Sequence, residues 1–169
     1  MIREKGMVIG MRKPIAARSA FSCGVKALDY LKQIHCSKVV IVSGKEPTDI
    51  SIAQKVHSIL QEQRAEISDY AEIGAKPSFQ ELLSGVAILK SKHPDTLIAV
   101  GEEAVINAVK MMLLLYEYPE IDFENMDDKN TENMKLQTKL IVIPADSAAA
   151  EVEEVSQITS IVIDSKMKN

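Results

Sequence analysis

Short apolar runs alternate with amphipathic segments along the chain from residue 38 onward. The runs are rich in β-branched residues, as in strands buried on both faces, and the amphipathic segments repeat apolar residues at helical spacing. We expect strands at 38–44, 66–73, 96–101, 139–144 and 158–164. We expect helices at 24–34, at 50–63, from Ser78 onward and at 102–118.

Two of these helices carry recognisable start signals. Thr48 or Asp49 can serve as the N-cap of the helix at 50–63, because both residue types accept hydrogen bonds from free backbone N–H groups. Ser78 stands three residues before Glu81, which is the spacing of a capping box. The helix at 102–118 ends before Pro119, since proline cannot continue a helix.

Strands that alternate with helices in this way are typical of an α/β fold, in which an open, mostly parallel sheet carries helices on both faces. An extra strand is expected ahead of the helix at 24–34, and the first dozen residues are expected to be an arm or an edge strand. The segment 117–135 holds seven carboxylates against two lysines, which predicts an exposed loop. No repeat or long linker divides the chain, so we expect 1–169 to be a single domain.

Composition excludes several classes of function. A net charge of −4 argues against nucleic acid and anionic membranes as partners. No apolar run is long enough to span a bilayer, and no secretory signal is evident. Cys23 and Cys36 are too few for a disulfide framework, and His35, His57 and His93 share no metal-ligand spacing. These features favour a cytoplasmic protein with reduced thiols.

Four segments resemble, in sequence order, one known family. They are FSCGVKALDYL (21–31), KVVIVSGK (38–45), the region 70–120 containing TLIAVGEEAVINAVK, and LIVIPADSAAAE (140–151). The first is similar to the opening turn and helix of the iron-containing alcohol dehydrogenases, which are related to the dehydroquinate synthases, and the second to their first nucleotide-binding strand. The last two resemble the segments that contain the family's G-G-G-S turn and its I-P-T-T-x-G-T-G-S-E loop. The resemblance implies a Rossmann-like nucleotide-binding domain.

In that family a helical domain follows, in which an aspartate and three histidines hold the metal. The resemblance covers nearly all of 1–169 and reaches no counterpart of those ligands. It therefore implies that the C-terminal metal-binding domain is absent, that no residue here is catalytic or a metal ligand, and that the isolated chain does not oxidise alcohols.

The resemblance also implies where a cofactor would bind. The positions that match the family's cofactor loops are Gly44, Lys45, Gly101, Glu102, Glu103, Ala104, Asn107, Lys110, Ala145 and Asp146. Gly44-Lys45 matches the family members that favour NADP. The alternative is that Gly44 is only a glycine required by a turn. Most of the family's loop glycines are replaced, so we expect no cofactor, with NAD(P) as the ligand if the family activity is retained.

The glycine turn is the most altered of these positions, because Glu102, Glu103 and Ala104 follow Gly101 directly. A carboxylate about 4 Å from a phosphate charge costs about 4 kcal/mol at an effective dielectric constant of about 20, or roughly a thousandfold in affinity. Acidic residues in the first turn of a helix also stabilise the helix by about 0.3–1 kcal/mol each. We therefore interpret the two glutamates as supplying, in the first turn of the helix, the negative charge that a bound phosphate would supply.

The segment that resembles the family's I-P-T-T-x-G-T-G-S-E loop has also lost its cofactor-binding residues. Ala145 and Asp146 replace the family's two threonines, and alanines fall where its glycines lie. Because alanine favours helix and Asp146 or Ser147 can act as an N-cap, we expect a short helix over 146–157.

Three hypotheses of function follow. The first is a non-catalytic relative of the dehydrogenases that acts as an interaction or regulatory protein. The second is an NAD(P)-binding component of an alcohol dehydrogenase, completed by a separate metal-binding chain. The third is a site for a different ligand, such as a cation drawn to Glu102, Glu103 and Asp146. A second copy or another protein is the expected partner, through the surface that the missing domain would have covered.

Overall fold

A computed structural model describes residues 15–19, 27–122, 134–145 and 153–163, which contain six strands and four helices. The strands are β1 (Ile15–Ser19), β2 (Lys38–Gly44), β3 (Glu66–Ile73), β4 (Thr96–Gly101), β5 (Met134–Pro144) and β6 (Glu153–Ile163). The helices are α1 (Ala27–Gln33), α2 (Pro47–Glu62), α3 (Phe79–Lys92) and α4 (Glu103–Glu117).

The six strands form one sheet in the order β1-β6-β5-β4-β2-β3. The four strands β3, β2, β4 and β5 are parallel, and β6 and β1 extend the sheet through antiparallel pairing. β1 pairs with β6 in a register that places Ile15 opposite Ile163. The expected fold class, an open and mostly parallel sheet, is confirmed.

Helices cover both faces of the sheet because the central strands are apolar on both faces. In β2, Val39 and Ile41 contribute to one hydrophobic core, whereas Val40 and Val42 contribute to the other. The first core includes buried residues of α1 and α2, and the second includes those of α3 and α4. This two-sided burial explains why β2 and β4 read as continuous apolar runs.

Helix α2 starts earlier than the sequence predicts. Its N-cap is Glu46, and neither Thr48 nor Asp49 holds that position, so the predicted N-cap is wrong. Proline at the first helical position explains the shift, because the ring of Pro47 fixes φ near the helical value and the missing N–H is not needed there. Asp49 therefore lies inside the first turn, where its side chain is buried.

The predicted capping box of α3 is confirmed. The Glu81 backbone N–H donates to Ser78 Oγ at 3.2 Å, and the Ser78 backbone N–H donates to the Glu81 carboxylate. The helix ends at Lys92, and its C-cap His93 adopts a left-handed conformation with φ of 49°.

Helix α4 is buried on more than the one side that the sequence predicts. The residues from Ala108 through Leu115 are all buried, and they include Lys110. The helix packs against α3 closely, since a Cβ on Gly85 would lie 2.0 Å from Met112 Cε.

The helix predicted over 146–157 is wrong from Glu153 onward, where the chain forms β6. β6 begins earlier than the strand expected at 158–164 and pairs with both β5 and β1. Backbone pairing on two sides outweighs a weak helix propensity, which tertiary context commonly overrides. Residues 146–152 lie outside the described ranges.

Among the described residues, no helix combines the length and the apolar character that a membrane crossing requires.

Candidate functional site

The strand order reverses between β2 and β4. From β2 the chain passes through α2 to β3 on one side, whereas β4 pairs with β2 on the other side. Open α/β sheets bind ligands at such a point, outside the carboxyl ends of the strands. The pairing of Ser43 with Val100 places Gly44 beside Gly101 there. We call the region formed by residues 44–49 and 101–105 the switch-point crevice.

Gly44 lies in close contact with a side chain of the following helix. A Cβ at this position would be 2.1 Å from Asp49 Oδ2 and 3.1 Å from Val105 Cγ2. The first turn of α2 thus folds its carboxylate back onto the end of β2. The space that glycine leaves open is taken by the chain's own atoms.

Gly101 is packed in a similar way against a side chain of α4. Its φ is 155°, a conformation that residues with a side chain rarely adopt, and a Cβ would lie 2.8 Å from both Cβ and Cγ1 of Val105. Val105 therefore packs against both glycines of the switch-point crevice, and each glycine is required by internal packing.

Four carboxylates belong to this crevice, those of Glu46, Asp49, Glu102 and Glu103. Asp49 is 2% exposed. Burial raises the pKa of Asp49, and the charges of Glu102 and Glu46 raise that pKa further. Glu46 and Glu102 are the exposed N-cap residues of α2 and α4, and neither side chain makes a capping hydrogen bond.

Lys45, one of the positions that match the family's cofactor loops, is directed toward acidic side chains. Its Nζ lies 3.9 Å from Glu72 Oε2 and 3.7 Å from Glu81 Oε1. Burial alone would raise the pKa of Glu81, but hydrogen bonds from Ser78 and Gly74, together with the Lys45 charge, hold that pKa below its ordinary value. The positive charge of Lys45 is therefore partly used within the protein.

The remaining expected positions are spread along α4 and the end of β5. Ala104 is exposed in the first turn of α4, Asn107 is half-buried, and Lys110 is buried farther along the helix. The Ala145 backbone N–H donates to the Gly101 carbonyl at 3.0 Å, which ties the end of β5 to the end of β4. Asp146 lies outside the described residues.

From the sequence, Asp49 has no predicted role beyond helix capping. A proline at the start of a helix with an acidic residue two positions later is a common first-turn pattern. The pattern contains no sign that the side chain turns inward toward Gly44. Only the close approach of α2 to the end of β2 identifies Asp49 as part of the crevice.

A cavity of about 550 Å³ lies at the opposite edge of the sheet, near the amino ends of β4 and β5. The carboxylates that line this cavity accept hydrogen bonds that hold the fold together. Glu117 accepts hydrogen bonds from the backbone N–H groups of Gln137 and Thr138, and Asp95 accepts them from those of Ser37 and Lys38. We therefore place the candidate site at the switch-point crevice. The cavity is lined by Pro94, Asp95, Tyr116, Glu117, Tyr118, Lys135, Gln137 and Thr138.

Two comparisons place the chain among known proteins. The chain is 30% identical over 139 residues to the NADPH-dependent butanol dehydrogenase of Clostridium saccharobutylicum, covering 80% of this chain and 36% of that protein. It is 31% identical over 134 residues to aldehyde-alcohol dehydrogenase 2 of Entamoeba histolytica, covering 73% of this chain and 15% of the relative. The chain thus spans about a third or less of the length of these curated relatives.

The fold has a counterpart in a solved iron-containing alcohol dehydrogenase from Thermococcus thioreducens. The two superpose with a TM-score of 0.63 at 21% identity, over 83% of this chain and 42% of that one. The family model of the iron-containing alcohol dehydrogenases matches residues 20–168. The chain therefore belongs to the iron-containing alcohol dehydrogenase family.

Proposed function

We propose that this chain is a non-catalytic member of its family that serves as an interaction or regulatory protein and binds no NAD(P). The single observation that carries the proposal is the filling of the space over Gly44 and Gly101 by Asp49 and Val105. In a phosphate cradle, glycines leave that space open so that the backbone can approach the diphosphate.

The charge of the crevice supports the proposal. The exposed acids Glu46, Glu102 and Glu103 stand at the first turns of α2 and α4, where a family cofactor would place its phosphates. A single carboxylate about 4 Å from a phosphate charge lowers affinity roughly a thousandfold at an effective dielectric constant of about 20. Lys45 offsets little of this charge, because it is paired with Glu72 and Glu81.

The family's metal also finds no fit in the residues described. Within 15–19, 27–122, 134–145 and 153–163, no three His, Cys, Asp or Glu side chains are grouped so that they could hold a metal ion. We therefore assign no reaction step to iron in this chain.

The proposal is tested by titrating the chain with NADPH and NADH and following cofactor fluorescence. We expect no saturable binding up to about 1 mM, which corresponds to a binding free energy weaker than about −4 kcal/mol. The butanol dehydrogenase of Clostridium saccharobutylicum, titrated in the same way with NADPH, is the positive control. A micromolar dissociation constant for this chain would overturn the proposal.

The second candidate is an NAD(P)-binding component completed by a separate metal-binding chain. Gly101 favours it, since the first glycine of the family's turn is kept and adopts a positive φ at the end of β4. Under this candidate, a chain that supplies a histidine cluster would restore metal-dependent alcohol oxidation together with NADPH binding. Light scattering of the chain alone and of such mixtures shows in addition whether its partner is a second copy or another protein.

A further inference from the structure

The first turn of α2 holds a carboxyl group where a negative charge is unfavourable. Asp49 is 2% exposed, and a Cβ on Gly44 would meet its Oδ2 at 2.1 Å. A buried carboxylate loses the water that stabilises its charge, so burial favours the protonated form. The position over Gly44 therefore suits Asp49 as a carboxylic acid better than as a carboxylate.

The charges around Asp49 act in the same direction as its burial. Burial is the largest cause that raises the pKa of Asp49, and the charges of Glu102 and Glu46, the N-cap residues of α4 and α2, raise that pKa further. Glu103, in the first turn of α4, is exposed. Lys45, which follows the end of β2, is directed toward acidic side chains of β3 and α3. Ionisation of Asp49 therefore adds a negative charge to a region that is already negative.

Asp49 also belongs to the packing that closes the switch-point crevice. It fills the space over Gly44 from α2, and Val105 packs against the same glycine from α4. The first turn of α2 is closed by the Ile50 backbone N–H, which donates to the Glu46 carbonyl at 3.0 Å. Helix ends open at a lower free energy than helix centres. A change of charge on Asp49 thus acts on a part of the chain that opens readily.

We propose that Asp49 is a pH-sensitive switch that controls how often the first turn of α2 opens. Protonated Asp49 stays packed over Gly44 and holds this turn against the end of β2. When the carboxyl group ionises, it turns outward to water and the turn loosens. The switch-point crevice is therefore closed in mildly acidic solution and opens more often toward neutral pH. This inference goes beyond the proposed function, because it concerns a motion of the chain itself.

The direction of the effect follows from proton linkage. A proton that binds more tightly in the closed form than in the open form stabilises the closed form. This contribution is full below the ordinary aspartate pKa of about 3.9 and is lost as pH rises through the raised pKa of the closed form. A pKa difference of about half a unit between the two forms changes the ratio of closed to open chains about threefold.

The test is amide hydrogen exchange of the full chain, followed by NMR across this pH range and corrected for the intrinsic exchange rate at each pH. The reporter is the Ile50 N–H. The control is the Leu82 N–H, which donates to the Ser78 carbonyl at 3.2 Å in the first turn of α3. We expect protection of Ile50 to fall at least about threefold as pH rises, and protection of Leu82 to change less than about twofold. An equal fall at both amides would reflect global stability and would overturn the inference.

Three variants assign the effect to Asp49. Asp49→Asn keeps the size of the side chain and cannot ionise, so protection of Ile50 should become independent of pH. Glu102→Gln removes a charge that raises the pKa of Asp49, so the midpoint of the change should move to lower pH. Glu103→Gln is the matched control and should leave the midpoint in place, because its carboxylate is exposed.

Several outcomes would overturn the switch. They are a flat pH profile for Ile50 in the unaltered chain, an unchanged profile in Asp49→Asn, and equal shifts of the midpoint in the two glutamine variants. These measurements contain no cofactor, so their failure leaves the proposed function standing. Micromolar binding of NADPH, in turn, would overturn the proposed function and leave the switch in place.

Discussion

The carboxylate of Asp49 lies against Gly44 so closely that a methyl group at residue 44 would meet Asp49 Oδ2 at 2.1 Å. The first turn of α2 and the end of β2 are therefore fitted to each other. This contact explains without any ligand why residue 44 is a glycine. Its contribution to the stability of the fold can be measured.

Gly44→Ala should lower the free energy of unfolding by about 1–3 kcal/mol, because the added methyl group must displace a buried side chain. In an Asp49→Ala background the same change should cost less, with a coupling energy of about 0.5 kcal/mol or more. Urea unfolding of the two single variants and the double variant measures this coupling. Additive costs would mean that another neighbour, such as Val105, limits residue 44.

Gly101→Ala should be more destabilising, by about 2–4 kcal/mol, because an unfavourable φ is added to the steric clash with Val105. Adding Val105→Ala should relieve only the clash, so part of the penalty from Gly101→Ala should remain in the double variant. Thermal or urea unfolding gives both values. If Gly101 were retained only for a cofactor, Gly101→Ala would leave stability unchanged.

Asp49→Asn should alter how stability depends on pH. The pKa of Asp49 is raised in the folded state. At a pH between the unfolded and the folded pKa, the Asp49 carboxyl therefore holds a proton in the native chain that it has released in the unfolded chain. The contribution of Asp49 to the free energy of unfolding is thus fully present below the unfolded pKa of about 3.9 and is lost as pH rises through the folded pKa.

The asparagine variant carries no such titration, so it should gain stability relative to the unaltered chain as pH rises from about 4 toward neutrality. The difference between the two urea-unfolding curves at each pH isolates Asp49 from the other acids. Glu103→Gln serves as the comparison, since its carboxylate is exposed. A difference that is constant with pH would show that Asp49 titrates as it does in the unfolded chain.

Ser78→Ala should lower the free energy of unfolding by about 0.5–2 kcal/mol, because the Glu81 N–H loses its hydrogen-bond acceptor at the start of α3. Ser91→Ala, an exposed change in the last turn of the same helix, should cost less than about 0.5 kcal/mol. Urea unfolding at neutral pH compares the two. Equal costs would contradict a capping role for Ser78.

The other half of this capping box gives a pH dependence of opposite sign to that of Asp49. The pKa of Glu81 is lowered in the folded state, so its contribution to stability is present above the unfolded pKa and is lost as pH falls through the folded pKa. Glu81→Gln should therefore be most destabilising near neutral pH and nearly neutral in acid. If the loss of unfolding free energy caused by Glu81→Gln were as large in acid as at neutral pH, the effect would come from packing and not from the charge of Glu81.

The sequence predicted the central strands well because their burial on both faces leaves continuous apolar runs. The central strands β2 and β4 have the bounds that these runs predict, and the edge strand β3 has the bounds predicted from its alternating pattern. The region around 146–157 was predicted poorly, because its alanines and acids favour helix locally whereas β6 is stabilised by distant partners, β5 and β1. Local propensity contains no information about such partners.

The candidate site was predictable only in part, for a similar reason. The resemblance matched Gly44 and Gly101 to the family's cofactor loops, and the strand register brings them together. The inward turn of Asp49 and the pairing of Lys45 with Glu72 and Glu81 depend on how helices approach strand ends. Such approaches are set by packing between elements that are distant in sequence.

The pairing of β1 with β6 has a consequence for how the chain is made. Ile15 must wait for Ile163 to leave the ribosome before the two can pair, so this edge of the sheet forms only after β6 has been synthesised. Contacts between residues so far apart slow folding, since a long loop must close before they contribute. Until then the nascent chain presents open strand edges, which are sites where chaperones and aggregating neighbours compete.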